Sequence, residues 1–262
     1  MQQLDGRVAV VTGAARGMGR ALAERFAREG MRVVLADVDR ERLGETESAI
    51  REAGGTVLAM PTDMTDAEQV QALARRTYEE WGGVHVLCNN AGGGATRGAI
   101  WEIPLERWRW VMELNFSSVL HGVHTFIPLM LESGEQGHVV NTASGVVLGS
   151  KPWQSPYNAS KHAVVGLTET LHHELRKAGA PIGVSLLCPG FVQTREPTSE
   201  AEAEQLRGAI QPDEVAEQVI QAIRGEEFYV LTHHDALRER ARVRAEDIVM
   251  GRDPTRAPGV LS

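Results

Sequence analysis

The fold is decided near the start of the chain, where residues 7–19 read RVAVVTGAARGMG. The valine-rich apolar run at residues 7–12 predicts a short buried strand. The turn behind it places Gly13, Gly17 and Gly19 in the spacing Gly-x-x-x-Gly-x-Gly, and a helix is predicted at residues 17–29. Glycine lets a ligand approach the main chain, and a helix start presents N–H donors and positive dipole. The segment therefore has the features of a phosphate-binding turn.

A second strand is predicted at residues 31–36 and is followed by Asp37, 18 residues after Gly19. A carboxylate at this place can accept hydrogen bonds from both ribose hydroxyls of NAD. Glycines alone occur in many turns for conformational reasons, and this spacing differs from the common Gly-x-Gly-x-x-Gly fingerprint. It is the order strand, turn, helix, strand and acid that predicts a dinucleotide site.

Short apolar runs and longer stretches of helical period alternate along the rest of the chain. Further strands are predicted at residues 56–60, 84–88, 138–142, 182–187 and 228–231. Helices are predicted at residues 41–53, 67–81, 105–131 with a bend at Pro128, 155–178, 213–224 and 235–250. This alternation predicts an α/β fold, a Rossmann-type doubly wound parallel sheet of about seven strands with helices on both faces. We expect one domain over residues 1–262, with a helical extension at about 233–251.

Composition excludes several classes of protein. The apolar fraction of 42% and the charged fraction of 24% are those of an ordinary globular chain. A net charge of −8 argues against nucleic acid as a partner. No apolar run reaches the roughly 18 residues of a membrane span, and the first residues lack the pattern of a leader. We therefore expect a cytoplasmic protein with no membrane partner.

Cysteine and histidine give no sign of a disulfide framework or a metal site. Cys88 and Cys188 each stand near the end of a predicted buried strand, so both are interpreted as reduced core residues. The histidine pairs at residues 172–173 and 233–234 have no third ligand at a helical or hairpin spacing, and solvated helix surface is the interpretation that fits them.

Polar motifs follow the predicted strands in a fixed order. They are Asn89-Asn90-Ala91-Gly92, Ser144, Tyr157-Asn158-Ala159-Ser160-Lys161 and Pro189-Gly190. Together with the turn at residues 12–19 they resemble the short-chain dehydrogenase/reductase family over about residues 7–194. The resemblance implies an NAD(P)-dependent oxidoreductase that moves hydride between the cofactor and a secondary alcohol or ketone.

Four residues fit the chemistry that such a reaction requires. Removing a proton from an alcohol needs a base, and Tyr157 can serve if a nearby cation favours its phenolate, since a free phenol titrates near pH ~10. Lys161 lies four residues on, on the same helical face. Ser144 can donate to the substrate oxygen, and Asn115 resembles the family residue that holds a proton-relaying water. Each alone has an ordinary structural explanation, and their joint presence in this order favours the catalytic one.

The resemblance also implies a set of cofactor contacts. They comprise the phosphate turn, Gly13, Arg16, Gly17, Met18 and Gly19; the ribose acid Asp37; Asp63 and Met64 beside the adenine; Asn90, Ala91 and Gly92 along the adenosine; Tyr157 and Lys161 at the nicotinamide ribose; and Pro189, Gly190, Val192 and Thr194 at the nicotinamide end. Asp37 should repel a 2′-phosphate, whereas Arg16 resembles a basic position of NADP-preferring relatives. NAD(H) is the expected cofactor, with NADP(H) as the alternative.

Substrate identity is less constrained. The pocket residues expected from the pattern are Thr96, Val146, Leu148, Trp153, Gln154 and Phe191, which indicate an apolar, ring-bearing alcohol or ketone. Lys151 and Arg97 can instead meet a carboxylate or phosphate, which leaves a 3-oxoacyl-thioester reductase as the alternative.

Two further classes and the assembly state stay open. A catalytically inactive NAD-sensing protein would tolerate loss of Tyr157 or Lys161, and both are present. An epimerase or dehydratase of the extended branch would carry a larger C-terminal region than the 68 residues after Thr194. The two long helices predict a symmetric dimer or tetramer. The arginine-rich residues 237–244 are interpreted as exposed surface rather than as an oligomer contact.

Overall fold

The strand that the opening sequence predicts, β1 (Val8–Thr12), is buried along its whole length. The computed structural model describes residues 1–94, 96–194 and 208–255. Val8 and Val10 face one apolar core, and Ala9 and Val11 face the other. Because side chains alternate across a strand, a strand buried on both faces needs helices on both sides of its sheet.

Seven parallel strands form the sheet in the order β3-β2-β1-β4-β5-β6-β7. Besides β1 they are β2 (Arg32–Asp37), β3 (Thr56–Pro61), β4 (Val86–Asn89), β5 (Gly137–Thr142), β6 (Ile182–Cys188) and β7 (Tyr229–Leu231). The order reverses between β1 and β4, which is where an open sheet of this kind leaves a crevice at the carboxyl ends of its strands. The predicted doubly wound sheet is confirmed.

Helices cover both faces of the sheet. One face carries α1 (Gly17–Arg28), α2 (Arg40–Glu52) and α7 (Pro212–Gly225), and the other carries α3 (Ala67–Trp81), α5 (Ser118–Ser133) and α6 (Ser155–Lys177). The described residues hold two further helices. Helix α4 (Leu105–Met112) leads into α5, and α8 (His234–Met250) packs against β7 and the short 3₁₀ turn at Gly145–Leu148.

The bend expected at Pro128 stays a prediction, and the type of helix changes earlier in the chain. The chain passes from α4 through a π-helical segment, Glu113–Ser117, into α5, and α5 continues past Pro128 to Ser133. Pro128 and His124 are both exposed, so water can reach the carbonyl that a proline leaves without its helical donor. The irregularity lies instead at Asn115, whose side chain donates to the Val111 carbonyl at 3.0 Å and so competes with the backbone ladder.

Of the smaller predictions, some are confirmed and others are wrong. Cys88 and Cys188 are free and buried, as predicted. The interpretation of residues 237–244 as surface is wrong for Leu237, which is buried against Gly145 because α8 lies on the 3₁₀ turn. Among the histidines, His172 and His233 are half-buried rather than solvated.

Some predictions fall partly outside the described residues. The sequence is polar between the predicted strand at residues 182–187 and the predicted helix at 213–224, and residues 195–207 of that stretch lie outside the described ranges. Within the described ranges, His, Cys, Asp and Glu form no group of three able to hold a metal ion. No described helix combines the length and apolarity that crossing a membrane requires.

Two helical glycines provide a test of the packing between α5 and the sheet. A Cβ at Gly122 would collide with the amide oxygen of Asn89, whose amide nitrogen is fixed by a hydrogen bond to Asn141. We expect Gly122→Ala to destabilise the protein by about 1–3 kcal/mol, the usual cost of overpacking. Gly44→Ala in α2 is the matched control because nothing lies within 4 Å of its added Cβ. Replacing this helical glycine should leave the free energy of unfolding unchanged or raise it by up to about 1 kcal/mol. Thermal melts at one protein concentration compare the two, and equal melting temperatures would contradict the packing argument.

Candidate active site

The glycine turn is shaped for close approach of main chain to main chain. Gly13 and Gly17 have φ of 67° and 54°, in the left-handed region that favours glycine. A Cβ at Gly19 would collide with the carbonyl oxygen of Gly13. Helix α1 begins here with no capping hydrogen bond from the side chain of Arg16, which is exposed. The N-terminus of α1 therefore keeps N–H donors that an anion can use.

A threonine and an asparagine fasten the turn across the crevice. The Thr12 hydroxyl accepts the N–H groups of Asn90 at 2.9 Å and Ala91 at 3.0 Å. The Asn90 side chain donates in return to the Thr12 carbonyl at 3.0 Å. These bonds join the carboxyl end of β1 to the chain leaving β4, on the two sides of the reversal point. Thr12 is not among the predicted site residues, although it opens the quoted turn.

The carboxylate of Asp37 lies beside the same turn. One oxygen accepts the N–H of Ala15 and the other accepts the N–H of Asp39, each at 3.0 Å. The side chain is partly exposed at the carboxyl end of β2. Each carboxylate oxygen keeps lone pairs for a further donor. Asp37 thus has the position that the sequence predicts for a ribose-binding acid.

A buried polar chain beneath the crevice is absent from the sequence predictions. The side chain of Asn89 donates to that of Asn141 at 2.8 Å, and Asn141 donates to the Thr168 hydroxyl at 3.1 Å. The chain links β4, β5 and α6, so it fixes the position of α6 relative to the strand ends. A polar residue at the end of each apolar run was the available signal.

The predicted catalytic residues converge where α6 passes the end of β5. The Tyr157 side chain lies beside that of Ser144, and the Lys161 ammonium nitrogen lies 5.9 Å from the centre of the Tyr157 ring. The same nitrogen donates to the Thr142 carbonyl at 2.9 Å. Ser144 also caps the 3₁₀ turn, because its hydroxyl accepts the N–H of Val146 at 3.3 Å. Tyrosine, serine and lysine therefore share one pocket.

Burial shifts the pKa of both ionisable groups. Burial raises the pKa of Tyr157, and the neighbouring Ser144 hydroxyl acts in the opposite direction. Burial lowers the pKa of Lys161 to about 8. Desolvation disfavours the charged form of each group, so the pocket of the protein alone favours the neutral phenol and weakens the proton affinity of the amine.

Asn115 lies next to this pocket. The Asn115 amide exchanges two hydrogen bonds with the backbone of Gly93, both 2.9 Å. A Cβ on Gly92 would lie 2.8 Å from the Asn115 side-chain oxygen and 3.2 Å from the Lys161 nitrogen. Only a residue without a side chain leaves both groups in place. The structure thus brings Asn115 and Lys161 together across the backbone of Gly92.

The remaining predicted contacts lie around the rim of the crevice. The Pro189 carbonyl accepts the N–H of Gly145 at 2.7 Å. Gly190 donates to Thr232 at 3.0 Å. A Cβ on Gly17 would be 3.1 Å from Thr194, which places Thr194 against the phosphate turn. Val192 packs on the core that α1 covers, as does Met18.

Asp63 and Met64 follow β3 and differ in what they expose. The Asp63 carboxylate accepts the N–H and the hydroxyl of Thr65, which organises the turn. The Met64 side chain is buried, and its carbonyl is hydrogen-bonded to His121 at 3.0 Å. Asp63 is the one of the two whose side chain is available at the crevice.

The predicted substrate-pocket residues separate into two groups. Val146 is buried in the core. Trp153 and Phe191 are more than half exposed, and Leu148 lines a groove of ≈ 550 Å³ between the 3₁₀ turn and α8. Trp153 and Phe191 thus present apolar side chains at the surface, whereas Val146 does not.

Comparison with known proteins identifies the family. The short chain dehydrogenase family matches residues 7–205. A curated relative, 1-deoxy-11-beta-hydroxypentalenate dehydrogenase of Streptomyces exfoliatus, is 38% identical over 94% of this chain and 89% of its own length. A short-chain dehydrogenase/reductase from Burkholderia phymatum, solved with NAD, is 45% identical with a TM-score of 0.89 over 97% of this chain and 98% of that one.

A third relative is the actinorhodin polyketide ketoreductase, solved with NADPH as a variant with one substituted residue. It is 33% identical with a TM-score of 0.79, over 88% of this chain and 97% of that one. The chain belongs to the short-chain dehydrogenase/reductase family, and it is an oxidoreductase of the class that transfers hydride at alcohol or ketone carbons.

Two threonines at strand ends test the fastening of the glycine turn. Thr12→Val keeps the shape of the side chain but leaves the N–H groups of Asn90 and Ala91 without their acceptor, so we expect a loss of about 1–3 kcal/mol of unfolding free energy. Thr142→Val is the matched control, because the Thr142 hydroxyl is buried without a hydrogen-bond partner. Urea unfolding of the protein without added cofactor measures both. If the two variants lost the same free energy, the Thr12 hydroxyl would not be what holds the turn.

Proposed function

We propose that the protein interconverts secondary alcohols and ketones with a nicotinamide cofactor, and that Tyr157 is the acid-base residue. The observation that carries the proposal is the convergence of Tyr157, Ser144 and Lys161 at the end of β5. This convergence also supports one catalytic domain over residues 1–262, because the strands beside these residues belong to one sheet.

The crevice fits a dinucleotide. The uncapped N-terminus of α1 matches a pyrophosphate, and Asp37 at the end of β2 matches a ribose diol. When bound, the nicotinamide accepts or supplies the hydride. We propose that the turn from Gly13 to Gly19 with Arg16 and Met18, together with Asp63 and Asn90 to Gly92, holds the adenosine and phosphates. The segment from Pro189 through Gly190 and Val192 to Thr194 then bounds the nicotinamide end.

The protein's own groups handle the proton. In alcohol oxidation Tyr157 accepts the hydroxyl proton, and in ketone reduction it returns one to the oxygen. The Ser144 hydroxyl donates to the same oxygen and stabilises the charge that develops there. The cation of Lys161 favours the phenolate against the burial that raises the pKa of Tyr157. Asn115 holds the backbone at Gly93 and borders Lys161, a position suited to a water that passes the proton outward.

Removal of the phenol oxygen tests the central role. We expect Tyr157→Phe to lower the rate by about 10²-fold or more with near-normal cofactor affinity, since it removes only the ionisable atom. Tyr78→Phe is the matched control. The Tyr78 hydroxyl is buried without a hydrogen-bond partner among the described residues, and it belongs to α3, which carries none of the proposed catalytic residues.

The readout is NADH absorbance with a panel of secondary alcohols and ketones. Retention of more than about a tenth of the wild-type rate by Tyr157→Phe would exclude the acid-base role. Absence of turnover by the wild type across the panel would favour a cofactor-sensing protein.

We propose that the protein prefers NAD(H). One of its relatives was solved with NAD and another with NADPH, so the cofactor preference is inferred from the charges of this chain. Asp37 carries its charge beside the turn, whereas Arg16 is exposed. Two like charges about 4 Å apart interact by roughly 4 kcal/mol at an effective dielectric of 20 before screening, more than one exposed arginine contact supplies.

The test is the ratio of catalytic efficiencies with NAD⁺ and NADP⁺ on one alcohol. Asp37→Asn keeps an acceptor for the turn but removes the negative charge. We expect it to raise the catalytic efficiency with NADP⁺ and so to bring the ratio of the two efficiencies closer to one. Glu45→Gln removes an equal charge from the exposed face of α2 and serves as control. An NADP⁺ preference in the wild type, or an unchanged ratio in Asp37→Asn, contradicts the proposal.

We further propose a cytoplasmic homo-oligomer, a dimer or tetramer, with neither nucleic acid nor membrane as partner. Exposed Trp101, Leu105 and Trp110, in and beside α4, support an apolar contact surface between copies. Light scattering at micromolar concentration should show a mass well above 28.6 kDa, and a monomer mass would overturn the proposal.

A further inference from the structure

The chain between the 3₁₀ turn and α6, residues 150–154, forms one wall beside the catalytic tyrosine and is here called the entrance segment. The Lys151 carbonyl accepts the side chain of Asn158 at 2.6 Å, and Asn158 directly follows Tyr157. The Trp153 carbonyl accepts the N–H of Gly98 at 3.1 Å. The entrance segment is therefore tied both to the start of α6 and to the loop that carries Arg97.

Trp153 is held in an unusual conformation at this place. Its φ is 65°, in the left-handed region, and its side chain is 56% exposed. A bulky residue with left-handed backbone is strained and persists only where the surroundings impose that conformation. Within the described residues, Trp153 belongs to neither apolar core, so core packing does not explain this conformation. The exposed ring offers an apolar surface next to the cleft.

Three cations surround the entrance segment. Lys151 lies within it and is half-buried, Arg97 precedes Gly98, and Arg240 of α8 lines the groove that Ser150 borders. Burial lowers the pKa of Lys151, and the positive charges of Arg240 and Arg97 lower it further. In the ranges that the structure describes, no carboxylate is ion-paired with Lys151 or Arg97. The acids Glu239 and Asp247 line the same groove as Arg240, and they are ion-paired with Arg242 and Arg252.

This concentration of positive charge stands out in a chain whose net charge is −8. Like charges held together beside a half-buried lysine destabilise one another, and an anion placed among them removes that repulsion. Phosphate sites commonly use the N–H donors of a helix start. Here α6 begins with Ser155 and Pro156, and proline contributes no N–H, so this helix start has one backbone donor fewer and the charged donors are side chains. A singly charged carboxylate suits that set better than a phosphate.

We propose that Lys151, assisted by Arg97, binds a carboxylate carried by the substrate, whose apolar body lies over Trp153. The inference rests on the proposed function, because it assigns the substrate of the same site: a keto or hydroxy acid in which an apolar framework separates the carboxylate from the carbon that reacts beside Tyr157.

The experiment measures binding without turnover. Calorimetry on the NADH-saturated enzyme compares 2-naphthoate with the neutral 2-naphthamide. We expect the wild type to bind the carboxylate at least about tenfold more tightly, the scale of one hydrogen bond to a charged group. Lys151→Met should abolish that preference and leave amide affinity unchanged. Lys177→Met is the matched control, because it removes the same charge from the exposed far end of α6.

Arg97→Gln provides a second variant on an exposed side chain, and it should reduce the preference partially even if Lys151→Met melts at a lower temperature. Equal or absent binding of both ligands to the wild type, or an unchanged preference in both variants, overturns the inference. Tighter binding of phenyl phosphate than of naphthoate overturns the assignment to carboxylate. The two proposals fail separately, since an absent carboxylate preference leaves ketone turnover intact, and a clear preference without turnover of any ketone refutes only the proposed reaction.

Discussion

The structure depends on one constraint: the central strands are buried on both faces. A side chain on either face of β1 meets apolar neighbours, so polar groups that do chemistry are displaced to the ends of the strands. Thr12, Asp37, Asn89 and Thr142 each stand at a carboxyl end. Because parallel strands end at the same edge, residues far apart in the chain become neighbours there. The crevice at the reversal between β1 and β4 is a consequence of strand order as much as of any motif.

Much of this arrangement can be predicted from the sequence. Alternation of short apolar runs and helical periods gives the sheet and the helices, because those patterns reflect burial on two faces or on one. The Tyr157–Lys161 pairing can be predicted because four residues make one helical turn. What cannot be predicted is set by contacts between distant segments. Three features depend on which strand lies beside which: the hydrogen bonds between Thr12 and Asn90, the polar chain from Asn89 to Thr168, and the burial of Leu237.

The electrostatics of the pocket follow from the same burial. An ammonium group inside the protein is unfavourable unless its donors are used, and Lys161 has the Thr142 carbonyl as a partner. Its lowered pKa and the raised pKa of Tyr157 have one cause, removal from water. In the protein alone, both shifts therefore favour the neutral form, the phenol of Tyr157 and the amine of Lys161.

The π-helical segment before α5 has a consequence for how the chain can vary. A residue in an α-helix turns the following chain by about 100°, so the extra residue that a π segment accommodates sets the faces of α4 and α5 out of phase with a continuous ladder. The two helices are both packed in this shifted phase, α5 on the sheet and α4 on α6. Deleting one residue between Glu113 and Ser117 would restore continuous α-helical hydrogen bonding. It would also rotate α4 or α5 so that its apolar face no longer met its packing partner. The length of this segment is therefore fixed by packing on either side of Asn115, and the asparagine occupies a position that substitutions can reach but insertions and deletions cannot.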